Sequence, residues 1–388
     1  MEQVWEGLMH TKSLLPLFLI SVMVLPSMLW GQNTYVPDDN FEQALIDLGY
    51  DDTLDDYVLT ANISGVTSLD VENKGISDLT GIEDFTVLSS LNINLNSLTS
   101  LDISSNAFLT DLYCNDNQLT SLDVSNNTFL QELFCNTNQL TSLDVSNNIS
   151  LYDFRCQDNQ LTSLDISSNT VLSNFECRNN QLTSLDVSNN PAISYLNVHG
   201  NNLTNLDLSN NTSLTFFACS NNYFTSLDLS NNPALSHLTC ENNYLTSLDL
   251  SNNPNMEFFY GFNNQLSYLN LKFGDPQQMW VFGVWDNQLT CIEVLDPVWA
   301  TENWTSENNS IDEGVEFSVV CAPEGYTYVP DNNFEQVLVD LGYDSAVDDF
   351  VLTENISGVT DLDVGEKEIS DLTGIEDFMA LNILRCYT

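Results

Sequence analysis

From Leu98 to Leu266 the apolar positions recur with a step of 21 residues. Leu98, Leu119, Leu140, Leu161, Leu182, Leu203, Phe224, Leu245 and Leu266 open successive copies of one pattern, and register is kept without a gap. Three copies read LTSLDISSNAFLTDLYCNDNQ, LTSLDVSNNTFLQELFCNTNQ and LTSLDVSNNISLYDFRCQDNQ. A fixed step near 20 residues predicts a solenoid, because one such unit can bury its apolar face only against its neighbours. Within one copy the inward residues are Leu109, Leu112, Cys114, Leu119, Leu122 and Val124. The pairs Leu112-x-Cys114 and Leu122-x-Val124 alternate with period two, the mark of a short strand with one buried face. The expected coil is therefore β-rich, with little helix and with short parallel strands on two opposite sides.

Each expected strand is followed three residues later by asparagine. One file runs from Asn96 through Asn117 and Asn159 to Asn264, the other from Asn106 through Asn127 to Asn253. An amide carries both donors and acceptors, so it can satisfy backbone groups stranded where the coil turns a corner. We expect both files to be structural.

The stretch L-x-x-L-x-C-x-x-N-x-L resembles the leucine-rich repeat signature. Its continuation L-x-x-L-D-[VIL]-S-x-N is similar to the 21-residue nested subtype called IRREKO, over residues 98–288. The resemblance implies an extracellular or surface recognition scaffold, not an enzyme, and names no ligand.

The flanks do different work. Residues 1–31 place one lysine ahead of an apolar run that ends near a small residue, which reads as a secretory signal peptide. Past it, no apolar run is long enough to span a bilayer, so we expect no membrane insertion after its removal. Residues 34–97 should form an N-terminal cap and first coils. In VPDDNFEQALIDLG, Asp38 or Asp39 can cap a short helix with Phe41, Leu45 and Leu48 on one face, stopped at Gly49. Ile76, Leu79, Ile82, Phe85 and Leu88 are spaced by three, which suits tight turns or 3₁₀ structure and resembles internalin-type coils. Residues 289–325 should close the stack as a C-terminal cap. From Thr327 the chain starts again: residues 327–378 differ from residues 34–85 at 12 of 52 positions, leaving 40 matches. This second copy, residues 327–388, stops where the first goes on into its repeats, and we expect the sequence to be a fragment of a longer tandem protein.

Charge narrows the partners. The 388 residues carry 55 acidic against 7 basic side chains, a surface that repels nucleic acid and favours basic partners or divalent cations. Asp102, Asp123, Asp144, Asp165, Asp186, Asp207, Asp228 and Asp249 share one outward position in successive coils. Carboxylates about 4.8 Å apart repel by about 1 kcal/mol in water, so each Asp is expected to cap its own turn against a serine such as Ser125. The cluster Asp51, Asp52, Asp55 and Asp56 could hold calcium. It lacks the twelve-residue EF-hand layout and central glycine, and reads first as a solvated loop.

Of the nine cysteines, Cys386 belongs to the truncated second copy and the others fall into two classes. Cys114, Cys135, Cys156, Cys177, Cys219 and Cys240 share an inward slot that Val198 and Gly261 take in other coils, so they are expected to be packed free thiols. Cys291 and Cys321 bracket the closing segment, fit no ladder and lie in a chain expected to be exported, so we expect them to pair.

No catalytic constellation stands out. The three histidines, His10, His199 and His237, lie apart, and no zinc-protease, nucleophile-elbow or phosphate-loop motif is present. We expect His237 to be a solvated strand residue. The contrast between the two sides of the coil is more informative. One side repeats SLDVSNN almost unchanged, while outward positions of the other vary. One column runs Asp111, Glu132, Asp153, Asn174, Tyr195, Phe216, His237, Phe258; its companion runs Tyr113, Phe134, Arg155, Glu176, Asn197, Ala218, Thr239, Tyr260. The expected ligand-binding face comprises Tyr113, Phe134, Arg155, Tyr195, Phe216, His237, Phe258, Tyr260 and Phe262, because clustered aromatics and arginine anchor protein interfaces. A protein partner is the first expectation. A glycan stacked on aromatic platforms, or a calcium-dependent adhesion role, are the alternatives.

Overall fold

The computed structural model describes residues 32–323 and 325–387; the expected signal segment, residues 1–31, lies outside the described residues. Among the described residues no helix is long and apolar enough to cross a membrane.

The chain is a stack of β-coils. Strand Asn33–Tyr35 pairs antiparallel with Tyr57–Leu59, with helix Asp39–Asp47 between them. An 11-stranded parallel sheet follows, one strand per coil, from Ser68–Asp70 through Asp111–Tyr113 to Val281–Gly283. Its register advances by one coil at each step, Leu112 beside Leu133 and Phe217 beside Leu238. The middle residue of each strand points inward: Leu112, Leu133, Phe154, Phe175, Leu196, Phe217, Leu238 and Phe259 are all fully buried. Leu109, Cys114, Leu119, Leu122 and Val124 join them in a continuous apolar cluster that reaches from Val36 to Ile311.

The six slot cysteines are fully buried free thiols. Burial pushes their pKa up, to about 12 at Cys114, which keeps them protonated and unreactive. Cys291 and Cys321 form the disulfide, with Cα atoms 5.7 Å apart.

The two asparagine files act as staples between coils. Asn159 donates from Nδ2 to the carbonyls of Cys135 at 3.0 Å and Cys156 at 3.1 Å, and its Oδ1 accepts the Leu140 N–H at 2.9 Å. In the other file Asn169 donates to Val145 at 3.1 Å and Asn148 at 2.9 Å, while its buried Oδ1 has no donor. The bond to Cys156 closes the corner of its own coil, while those with Cys135, Leu140, Val145 and Asn148 join consecutive coils, so the ladders lock the stack as well as closing its corners.

The second side of the coil is more economical than the alternation suggested. A second parallel sheet exists, but its four strands, Ser247–Asp249, Tyr268–Asn270, Cys291–Glu293 and Glu316–Ser318, all lie in the later coils. In earlier coils this side runs without a ladder, and the aspartates look after its backbone: Asp123 Oδ1 accepts the Ser125 N–H at 2.9 Å, and Asp144, Asp165, Asp186 and Asp207 repeat the bond. Hydrogen bonds from these serines hold the carboxylates below their ordinary pKa of 3.8, so the file stays ionised. Pairing sets in where Asn270 interrupts the file and Lys272 Nζ sits 2.7 Å from Glu293, which relieves the repulsion between neighbouring rungs.

The capping helix has Asp38 as its N-cap, with Phe41, Ala44 and Leu45 buried; Gly49 follows at φ +80°. Leu48 departs from expectation: as the C-cap residue it has rotated off the buried face and is exposed. Ile82–Asp84 is a 3₁₀ turn, as the spacing by three requires. The second copy repeats these elements as helix Asn332–Asp340 and 3₁₀ turn Ile375–Asp377, around its own apolar cluster from Val329 to Phe378. Its N-cap, Asp331, accepts from the N–H groups of Asn333 and Phe334 through Oδ1, and from the Ser370 N–H and hydroxyl and the Asp371 N–H through Oδ2. Burial raises its pKa, but these bonds outweigh burial and bring it to about 2, against 3.8 ordinarily. Because the folded value lies below the unfolded one, the stabilisation is complete above about pH 4 and is lost as pH falls toward 2. A carbon-13 titration of the Asp331 carboxyl should show its midpoint near pH 2; a midpoint at about 4 would remove the proposed cap network.

Candidate functional site

The 11-stranded sheet presents its first and third strand positions on the outer surface, while the second is buried. Parallel in-register pairing puts each residue directly beside its counterpart one coil away. The two variable columns therefore become two adjacent ribbons of side chains in contact along the stack.

The early coils carry a charged half whose groups are satisfied by one another. Arg155 donates to both oxygens of the buried Asp153, from Nε at 3.0 Å and Nη2 at 2.9 Å, and its guanidinium carbon lies 4.3 Å from the Phe134 ring centroid. Asn174 donates to Asp153 at 2.9 Å. Glu132 is held by two phenols, the Tyr113 hydroxyl at 2.5 Å and that of Tyr152. The hydrogen bond to Glu132 raises the Tyr152 pKa to about 12. Burial first, then Glu132, pushes Tyr113 up as well. Burial also raises Glu176, against the pull of Arg155 and Arg178. This end of the face is preorganised: its side chains are fixed before any partner arrives.

The later coils carry an aromatic half. Tyr195 and Phe216 stack with centroids 4.3 Å apart and planes at 7°. Phe216, His237 and Phe258 continue the file at 6.1 and 5.9 Å. Phe258 meets Tyr260 edge-on at 4.8 Å, and Phe262 stacks on Trp285 at 4.2 Å. The structure corrects one expectation here. His237 is not solvated but half-buried between Phe216 and Phe258, with Nδ1 2.8 Å from the Ser236 hydroxyl. The expected aromatics are half-buried rather than free, since each ring lends a face to its neighbour and leaves its edge to solvent.

Two contributors were missed from the sequence. Trp280 is 63% exposed and meets Phe258 edge-on at 5.3 Å. It lies in the loosened segment KFGDPQQMW, where the 21-residue step no longer assigns a column. Gly283 occupies the Tyr260 column, and a β-carbon there would sit 2.3 Å from Trp285 and 3.0 Å from Tyr260. Its missing side chain is the space in which the Trp285 indole lies. A cleft of about 400 Å³ beside this end is lined by Trp280, Phe282, Trp299 and Trp304. Cys291 and Cys321 lie away from the sheet face, in the closing segment, where Cys291 begins a strand of the second sheet. Asp51, Asp55 and Asp56 belong to the loop after the first helix.

No family model matches the chain. Internalin J of Listeria monocytogenes serotype 4b (strain F2365) is 36% identical over 74 residues, which is 19% of this chain and only 8% of that protein's length. Among solved structures, the functional domain of InlJ from Listeria monocytogenes, described as including a cysteine ladder, is 26% identical with a TM-score of 0.43, over 69% of this chain and 78% of that one. The leucine-rich repeat domain of APL1B is 21% identical with a TM-score of 0.51, over 61% of this chain and 75% of that one. This last likeness is one of fold. Taken with the stacked coils, the inward leucines and the asparagine ladders, it shows that the chain has the leucine-rich repeat fold.

Proposed function

We propose that the chain is a secreted or surface-displayed recognition scaffold that binds a protein partner through the outer face of the 11-stranded sheet. The carrying observation is that one side of every coil is nearly invariant while the other is individualised into a charged half and an aromatic half. The aromatic half has the composition of interface hot spots, and its rings are held by neighbours, so little side-chain entropy is lost on binding. The ring stacking favours protein over glycan, because a sugar needs an aromatic face and most of these faces are already covered. Export is supported by the amino-terminal apolar segment and by the Cys291–Cys321 disulfide.

The test is to probe an array of extracellular proteins and a glycan array with the labelled chain and with a Phe258→Ala/Tyr260→Ala variant. The substitutions suit the scaffold, since Ala218 already fills the Tyr260 column in another coil. Protein binding is expected to fall about 30-fold or more, the effect of one hot spot of about 2 kcal/mol. Undiminished binding by the variant, or signal on the glycan array alone, would overturn this reading.

A further inference from the structure

Both caps bury a glutamate in a way that the recognition role does not explain. Glu42 lies on helix Asp39–Asp47 and is fully buried beside Phe41, Ala44 and Leu45. Its Oε1 accepts the N–H groups of Asp55 at 2.9 Å and Tyr57 at 3.1 Å, drawing the acidic loop back against the helix. Its Oε2 is shielded from solvent and has no hydrogen-bond partner. In the same loop Oδ2 of Asp51 is also shielded and without a partner.

The second cap repeats this arrangement. Glu335 is fully buried, its Oε1 accepts the Asp348 N–H at 2.9 Å, and its Oε2 has no partner. Asp344 Oδ1 accepts the Ser345 N–H, and its Oδ2 is shielded and unpaired. The two caps differ at acidic positions nearby, Asp39 becoming Asn332 and Asp52 becoming Ser345, yet the glutamate and the loop aspartates at 51, 55 and 56 recur as Glu335, Asp344, Asp348 and Asp349.

A carboxylate oxygen taken out of water without a donor costs several kcal/mol unless a proton or a cation answers it. Among the described residues no basic side chain makes an ion pair with Glu42, Asp51, Glu335 or Asp344. Burial and the charges of Glu42 and Asp55 raise the Asp51 pKa, and burial raises that of Glu335, as expected for oxygens in need of a counter-charge. The geometry suits one ion per cap. Oxygens of Glu335, Asp344 and Asp348 lie within 4.8 Å of one another, as do those of Asp39, Glu42 and Asp56. Ligands at about 2.4 Å from a shared calcium ion stand no more than about 5 Å apart. The donors are all oxygen, and the loop aspartates are exposed and can share the ion with water, which is the coordination a hard cation takes.

We propose that each cap binds one calcium ion at its buried glutamate, Glu42 together with Asp39 and Asp56 in the first cap and Glu335 together with Asp344 and Asp348 in the second. The ion ties the loop to the capping helix, so the site steadies the cap and lies apart from the sheet face.

Calorimetric titration of the full chain with calcium chloride, at about 0.15 M salt to screen the acidic surface, tests this. Two saturable sites are expected, with Kd at or tighter than about 1 mM. Glu42→Gln should remove one site, Glu42→Gln/Glu335→Gln both, and the calcium-dependent rise in Tm should disappear with them. Glutamine keeps the acceptor for the Asp55 and Tyr57 N–H groups, and circular dichroism checks the fold. Should a glutamine variant misfold, Asp56→Asn/Asp344→Asn makes the same test. No saturable heat up to about 10 mM calcium would overturn the proposal. Unchanged binding by the double variants would also overturn it, placing the ions on the Asp102–Asp249 file.

Discussion

Asn159→Ala is expected to destabilise the solenoid by about 3 to 5 kcal/mol and to split its unfolding into two steps. The side chain spans two coils: it donates to carbonyls of Cys135 and Cys156 and accepts the N–H of Leu140, all in the apolar interior. Alanine leaves the Leu140 N–H buried and unpaired, at about 1–3 kcal/mol, and removes a hydrogen bond of about 1 kcal/mol from each carbonyl, which keep Asn138 and Asn180 as their remaining donors. A solenoid is stable through nearest-neighbour contacts, so a defect in a central coil weakens the coupling between the halves on either side. Urea titration followed by circular dichroism should show a second transition. The paired variant Asn169→Ala makes the comparison sharp. That residue also donates to two carbonyls, but its Oδ1 is an unpaired acceptor whose removal recovers a desolvation cost. Its effect should be about half as large. Equal losses would mean that the two files do not differ in the way their bonding indicates.

Cys291→Ser/Cys321→Ser is expected to cost about 3.5 kcal/mol, the chain-entropy value for the 30-residue separation. The loss should be local. The bridge spans the closing segment, where Trp304 packs on Phe282 at 4.3 Å and Glu316–Ser318 forms the last strand of the second sheet. Without it the closing segment frays before the central coils. Tryptophan fluorescence, which reports Trp280, Trp285, Trp299 and Trp304 together, should then melt ahead of far-ultraviolet circular dichroism. Coincident transitions would show that the bridge adds nothing at this end.

Much of this protein could be read one coil at a time. The step from Leu98 to Leu266, the inward slots of Leu112 and Cys114, both asparagine files and the capping role of the Asp102–Asp249 aspartates follow from the sequence, because each depends on residues within a few positions and is written many times over. The disulfide partners were legible because Cys291 and Cys321 bracket the closing segment and fit no ladder. The tertiary structure alone decided the rest. The second side pairs into a sheet only in the later coils, where Asn270 takes the aspartate's place and Lys272 meets Glu293. His237 is covered because rings 21 residues before and after it lean onto it, and Trp285 fits because Gly283 has no side chain. Glu42 is buried because the loop holding Asp55 and Tyr57 folds back onto its carboxylate. The repeat fixes an environment when identical neighbours create it. Where unlike residues from different coils or loops meet, burial and pairing are set by their separation in space, which a one-dimensional period does not encode.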